Sequence, residues 1–263
     1  MKYFFIHTPK TSGTTFMEVL RSDSNNRVGF FYQNPEPLTE DFETKINGVA
    51  EYNMRTRPGW QEYNIIGGHF TFGIHTKLNV QQFKYLGVVR DPVEHHISSF
   101  KHFLRASQEY QNHFLPGPKT VETMLTVKFM PNLQTFFLSG LSMEQIRKDK
   151  ERAYSTVVEN TEKYFAGVYP TEQFDEGLFY FKHKIGIKPM YYHKKNVAAN
   201  ALREKVTDEV AEKIRKVNDV DVRLFEYFKR KFDNEFSLIP LVGLQLAYFK
   251  LMNNWVGPDK QVA

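Results

Sequence analysis

The chain has no cysteine among its 263 residues and only two tryptophans. The missing thiols exclude a disulfide scaffold, a thiolate zinc site and a cysteine nucleophile. Any catalysis must therefore run on other side chains. No uninterrupted apolar run reaches the roughly 18 residues of a spanning helix. The opening stretch Met1 to His7 is too short for the apolar core of a signal peptide. Gly-x-Gly-x-x-Gly, Gly-x-Ser-x-Gly and His-Glu-x-x-His are also missing. Their absence disfavours a Rossmann dinucleotide site, a serine hydrolase and a catalytic metal. There is no internal repeat and no low-complexity tract.

Aromatic residues are abundant, with 24 Phe and 14 Tyr. Lys and Arg exceed Asp and Glu by 35 to 30, a net charge of +5. That balance favours anionic partners: nucleic acid, acidic glycans, nucleotides or acidic lipid surfaces. Hydrophobic and charged fractions of 41% and 25% are those of a globular protein. We expect a single domain over 1–263, with a core at 1–235 and a C-terminal apolar helix and tail at 236–263. The apolar segment Phe236 to Met252 is broken by Pro240, Gly243, Gln245 and Lys250. It suits a core or interface helix, through which the chain could self-associate or touch a membrane surface.

Strand patterns lie at Lys2 to His7, Asn64 to Gly67, Lys84 to Val89 and Phe165 to Tyr169, with Met190 to Lys195 a short strand or extended loop. Helical spacing is clearest at Thr14 to Arg21, Val93 to Arg105, Ser142 to Tyr164, Thr171 to Ile185 and Thr207 to Phe232. Thr120 to Val127 and Asn132 to Leu138 predict short helices. Ser22 to Trp60 is expected to be irregular with one short helix, and Ala106 to Pro118 to be a loop. The alternation predicts an α/β fold with a mainly parallel sheet flanked by helices. In such sheets ligands sit at the carboxyl ends of the strands.

After the first strand comes Thr8-Pro9-Lys10-Thr11-Ser12-Gly13-Thr14-Thr15. A Gly-containing loop opening a helix offers backbone N–H groups and a positive dipole to an anion. Lys10 adds a charge, and Ser12, Thr14 and Thr15 add hydroxyls. It is not a Walker A loop, because Lys10 precedes Gly13 and no first Gly is present. Ser12 or Thr14 could equally cap the helix. After the third strand comes Val88-Val89-Arg90-Asp91-Pro92, with Ser98 eight residues past Arg90. An Arg fork and a Ser hydroxyl suit a phosphate. An Arg90–Asp91 pair closing the turn is the competing reading.

Together the two loops resemble the sulfotransferases that use 3′-phosphoadenosine 5′-phosphosulfate (PAPS). Ile6 to Phe16 looks like the 5′-phosphosulfate loop of that superfamily, and Val89 to Pro92 with Ser98 like its 3′-phosphate motif. The resemblance is greatest to the heparan sulfate and uronyl 2-O-sulfotransferase branch and spans about residues 3 to 232. Gly68-His69, Asn132 to Leu138, Phe165 to Tyr169 with Glu172, and the region around Asn218, Asp221, Leu224 and Phe228 agree with it. A second Arg of the family pattern is replaced here by His95, and the segment at Asn196 fits its cofactor-covering loop only loosely.

The resemblance implies a P-loop-NTPase-like fold, PAPS as donor with adenosine 3′,5′-bisphosphate as product, and no metal. It implies a hydroxyl acceptor on a carbohydrate or glycoconjugate, and no need for nucleic acid. Lys10 would stabilise the leaving group. Thr11, Ser12, Gly13, Thr14 and Thr15 would hold the 5′-phosphosulfate, and Arg90 and Ser98 the 3′-phosphate. His69 would be the general base, with His75 a second candidate. A kinase-like phosphotransferase and a non-catalytic glycan- or nucleotide-binding module are the rival readings. Arg55 and Arg57 could meet an acidic sugar. A cytoplasmic, bacterial setting is expected, with an excised Golgi-luminal domain as the alternative.

Overall fold

The computed structural model describes residues 1–31, 42–127, 131–188, 191–192 and 206–256. Five strands form one all-parallel sheet: β1 (Lys2–Ile6), β2 (Val28–Phe31), β3 (Ile65–Gly68), β4 (Phe83–Val89) and β5 (Phe165–Pro170). Their order is β2-β3-β1-β4-β5. The α/β architecture with a parallel central sheet is the one the alternation predicted.

Around the sheet lie α1 (Gly13–Ser22), α2 (Phe42–Arg55), α3 (Ile74–Lys77), α4 (Pro92–Phe103), α5 (Gln108–Phe114) and α6 (Leu133–Ser139). They are followed by α7 (Met143–Lys148), α8 (Lys150–Tyr164), α9 (Phe174–Ile185), α10 (Asp208–Val217), α11 (Asp219–Ser237) and α12 (Val242–Val256).

Several predicted elements are corrected. The stretch expected to be irregular with one short helix holds β2 as well as the 14-residue helix α2. The four-residue strand β2 is fixed by pairing with β3, from Val28↔Ile65 to Phe31↔Gly68, which no local pattern encodes. Helix α2 contains Asn47 and Gly48 but sets Ile46, Ala50 and Met54 on one buried face. The predicted loop at 106–118 contains α5, capped by Ser107, whose hydroxyl accepts from the Tyr110 amide. The long helix from Ser142 is broken at Asp149, whose carboxylate caps α8 through the Arg152 amide. The possible strand at Met190 to Lys195 and the Asn196 segment lie outside the described residues, apart from residues 191–192.

The abundant Phe is core. Strand β1 is buried on both faces: Phe4 and Ile6 pack towards α2, α6 and α8, and Phe5 towards α1 and α9. Helix α11 serves both layers, with Val220, Leu224 and Phe228 on one side and Phe232 on the other. Burying such a side chain is worth about 1.5–3 kcal/mol, which anchors the central strands that carry the loops described next.

The apolar C-terminal segment forms α12. It buries Val242 and Phe249 beside α9 and exposes Leu241, Leu244, Tyr248 and Leu251. Among the described residues no single helix is long and apolar enough to cross a membrane; α11 with residues 242–253 passes by length and composition only as a pair bent by 103°.

Candidate active site

The three central strands β3, β1 and β4 release their chains at the same sheet edge, delivering His69, the loop His7 to Ser12, and Arg90. Strand β1 is the point where the chain order diverges to either side, the place where parallel sheets open a ligand crevice.

The loop after β1 is held from behind. Four consecutive carbonyls each accept a side-chain donor. His69 Nδ1 donates to His7 O (2.7 Å) and Thr11 Oγ1 to Thr8 O (2.8 Å). His95 Nε2 donates to Pro9 O (2.9 Å) and Arg90 Nη1 to Lys10 O (3.0 Å). Lys10 and Ser12 adopt left-handed backbone, φ 68° and 58°. Each such non-glycine residue costs roughly 1–3 kcal/mol, which the four bonds offset.

Left-handed residues alternating with right-handed ones can turn successive N–H groups to one side, an arrangement suited to an anion. Ser12 occupies the N-cap position of α1, yet no side chain caps that helix. The first-turn N–H groups, which have no intrahelical acceptor, remain for another partner. The Thr8 hydroxyl is fully buried without a hydrogen-bond partner.

Gly13 is required by close approach. A Cβ there would lie 2.0 Å from His7 Cδ2. The buried His7 ring in turn stacks on His69 at 4.6 Å. Among the predicted hydroxyls, Ser12 and Thr14 are exposed and Thr15 is buried, while the buried Thr11 points back at Thr8.

His69 has a defined tautomer: with Nδ1 donating to a carbonyl, Nε2 carries the lone pair. Burial lowers its pKa to about 4, opposed by the bond to His7 O and assisted by the charge of His102. Lys10 is lowered from the usual amine value by burial, then by the charges of Arg105 and Arg90. Both effects favour the neutral form of the group.

Arg90 sets its other terminal nitrogen 3.6 Å from Glu94 Oε2. The predicted alternative of an Arg90–Asp91 pair is not what forms. Asp91 caps α4 instead, accepting from the Val93 and Glu94 amides, with Pro92 in the first turn. Its own amide donates to Glu172 Oε1 at 3.0 Å, giving Glu172 a structural contact with the turn.

His95, where the family pattern has a second Arg, is a buried neutral brace; burial lowers its pKa to about 4. Ser98 is half-buried on the same helix. Asp91, His95, Ser98, His102 and Arg105 follow one another in steps of three and four, hence along one face. That spacing is the sequence signal that groups His95, His102 and Arg105 along α4 and the turn after it, beside Lys10.

Other candidates lie elsewhere. His75 stacks on Phe83, the first residue of β4, at 3.8 Å and bonds Tyr85 Oη at 2.7 Å. It therefore sits at the amino end of the sheet, opposite His69. Arg55 binds Glu51 and the Lys77 carbonyl, and Arg57 donates to the Phe30 carbonyl. No group of three or more His, Asp or Glu side chains among the described residues is arranged to hold a metal ion.

A family model described as galactose-3-O-sulfotransferase matches residues 1–239. No curated protein matches the chain.

Proposed function

Because the chain belongs to the galactose-3-O-sulfotransferase family, we propose that it transfers a sulfuryl group from PAPS to a carbohydrate hydroxyl, the 3-hydroxyl of a galactose unit in particular. The match supports a carbohydrate sulfotransferase, and its description is the reason we favour a galactose 3-hydroxyl over a uronyl 2-hydroxyl. The observation that carries the donor assignment is the loop whose four carbonyls are held by His69, Thr11, His95 and Arg90. Such bracing leaves amides, an uncapped helix start and the orphaned Thr8 hydroxyl for a phosphosulfate.

The donor supplies an activated sulfuryl group, so the protein's part is positioning and charge. The amides of residues 11–15 and the Ser12 and Thr14 hydroxyls bind the 5′-phosphosulfate. Arg90 and Ser98 bind the 3′-phosphate. Lys10 neutralises the bridging oxygen as the sulfur–oxygen bond breaks. His69 Nε2 takes the proton of the acceptor hydroxyl while that oxygen bonds to sulfur. Positioning of this kind, with charge placed beforehand, is the logic of phosphoryl transfer.

The test is ligand-induced stabilisation followed by turnover. Adenosine 3′,5′-bisphosphate without Mg²⁺ is expected to raise the melting temperature, and ATP with Mg²⁺ is not. Labelled sulfate from PAPS is expected on galactosides with a 3-hydroxyl and not on their 3-deoxy analogues. Stabilisation by ATP with Mg²⁺ alone would overturn the assignment in favour of a phosphotransferase.

A further inference from the structure

Arg90 follows the last residue of β4, where ladder pairing ends. The neighbouring β5 finishes at Pro170, opposite Val89, and proline has no N–H to continue the ladder. The backbone of Arg90 is instead satisfied by one side chain. Arg90 N donates to Gln134 Oε1 at 2.7 Å, and Gln134 Nε2 donates to Arg90 O at 2.9 Å. A primary amide thus mimics one step of a strand on a residue that the sheet has released. Gln134 is only 2% exposed.

Its own place is doubly fixed. Gln134 and Thr135 open α6, and both of their amides donate to the buried Asp221 carboxylate, at 3.1 and 2.8 Å. In return Asn132 Oδ1 accepts from the Val220 and Asp221 amides at 3.0 and 3.1 Å, capping α11. Asn218 Oδ1 accepts from the Asn132 amide at 2.9 Å. Two helices cap each other through side chains, and the amide that grips Arg90 projects from that junction.

We propose that Gln134 is a positioning residue of the donor site, fixing the Arg90 backbone and thereby the aim of its guanidinium at the nucleotide 3′-phosphate. The inference rests on the donor reading given above. Its consequence is specific: loosening Arg90 should weaken recognition of the 3′-phosphate more than that of the 5′ end, whose loop keeps the carbonyl bonds from His69, Thr11 and His95.

The experiment compares calorimetric affinities for adenosine 3′,5′-bisphosphate and adenosine 5′-monophosphate. In Gln134→Met, of similar volume but without the two hydrogen bonds, preference for the bisphosphate should fall about 10-fold or more, with monophosphate affinity held within about two-fold. Gln134→Glu can accept from the Arg90 amide but its carboxylate cannot donate to the Arg90 carbonyl, so it should be intermediate. It also reads the effect should Gln134→Met fail to fold. Adding Gln134→Met to Arg90→Ala should cost no further preference.

Unchanged preference in both Gln134 variants, or equal loss for both nucleotides, would overturn the positioning role while leaving the donor reading in place. A wild-type protein with no preference for the bisphosphate would overturn the donor reading and this inference with it.

Discussion

Arg90 Nη1 donates to the carbonyl oxygen of Lys10 at 3.0 Å. This bond ties the end of β4 to the loop after β1, so Arg90 links the two proposed phosphate sites. Arg90→Lys keeps the charge but lacks the fork that can serve the Lys10 carbonyl and a phosphate together. Affinity for adenosine 3′,5′-bisphosphate should fall about 10- to 100-fold, since hydrogen bonds to charged groups are worth about 1.5–3 kcal/mol. Wild-type affinity in calorimetry would remove Arg90 from the site.

Glu94 lies 3.6 Å from the same guanidinium and is 56% exposed. In the proposed donor site it would compete with an incoming anion for Arg90. Glu94→Gln should therefore bind the bisphosphate tighter, by about 2- to 5-fold, the range of an exposed pair. The gain should shrink with added salt. Weaker binding in Glu94→Gln would show that the carboxylate is needed to aim Arg90.

His69→Ala should lower transfer by about 10²–10⁴-fold, the usual worth of a positioned general base, far more than it weakens bisphosphate binding through the lost bond to the His7 carbonyl. Because the His69 pKa is lowered to about 4, the ring is neutral throughout the physiological range. The acid limb of kcat/KM should accordingly lie near pH 4. The bound donor adds negative charge beside the ring and favours its protonated form, so the acid limb of kcat should lie at higher pH. Coincident limbs in pH–rate profiles would contradict the placement of the donor.

His95 provides a stability test. Its pKa is lowered to about 4 in the fold, against an ordinary value of 6.5. Between those values the unfolded chain binds more protons than the folded one. Stability is thus lost as pH falls from 6.5 towards 4, by up to about 3 kcal/mol. His69 acts in the same direction. Asp221, raised by burial to about 6 from 3.8, and Glu172, also raised by burial, act oppositely, while His7, His75, His96 and His102, all lowered by burial, act with His95. Urea unfolding at pH 7 and pH 4.5 should show a smaller acid loss in His95→Gln than in wild type. Equal losses would mean that His95 is not a buried neutral brace.

Gly13→Ala should destabilise the protein by about 1–3 kcal/mol, the usual range for overpacking. The added methyl would meet the His7 ring, on which His69 stacks. A fall in melting temperature together with lost transfer is expected. Wild-type behaviour in both would exclude the close approach.

Much of this site could be read in the sequence because its spacing is local. The loop from Thr8 to Thr15, Arg90 before Asp91-Pro92, and His69 after Gly67-Gly68 all follow short apolar strands, so their place at one sheet edge follows from the parallel α/β pattern. His75, the second candidate, lies in α3 six residues past His69 and packs on Phe83 at the amino end of β4, away from His69. Strand β2 is not legible because its four residues acquire strand character from β3, and the one short helix expected in that stretch is the 14-residue α2, whose length Asn47 and Gly48 mask.

The sequence by itself determined the chemistry available: no thiols, Lys and Arg after strands, a glycine at a helix start, and histidine as the available base. Tertiary structure alone decided which side chain holds which carbonyl. His69 reaches His7 across 62 positions, Arg90 reaches Lys10 across 80, His95 reaches Pro9 across 86, and Gln134 reaches Arg90 across 44. A hydrogen bond needs its atoms within about 3 Å and in line. Residue spacing cannot encode that condition; strand register and the packing of α4 and α6 against the sheet edge supply it.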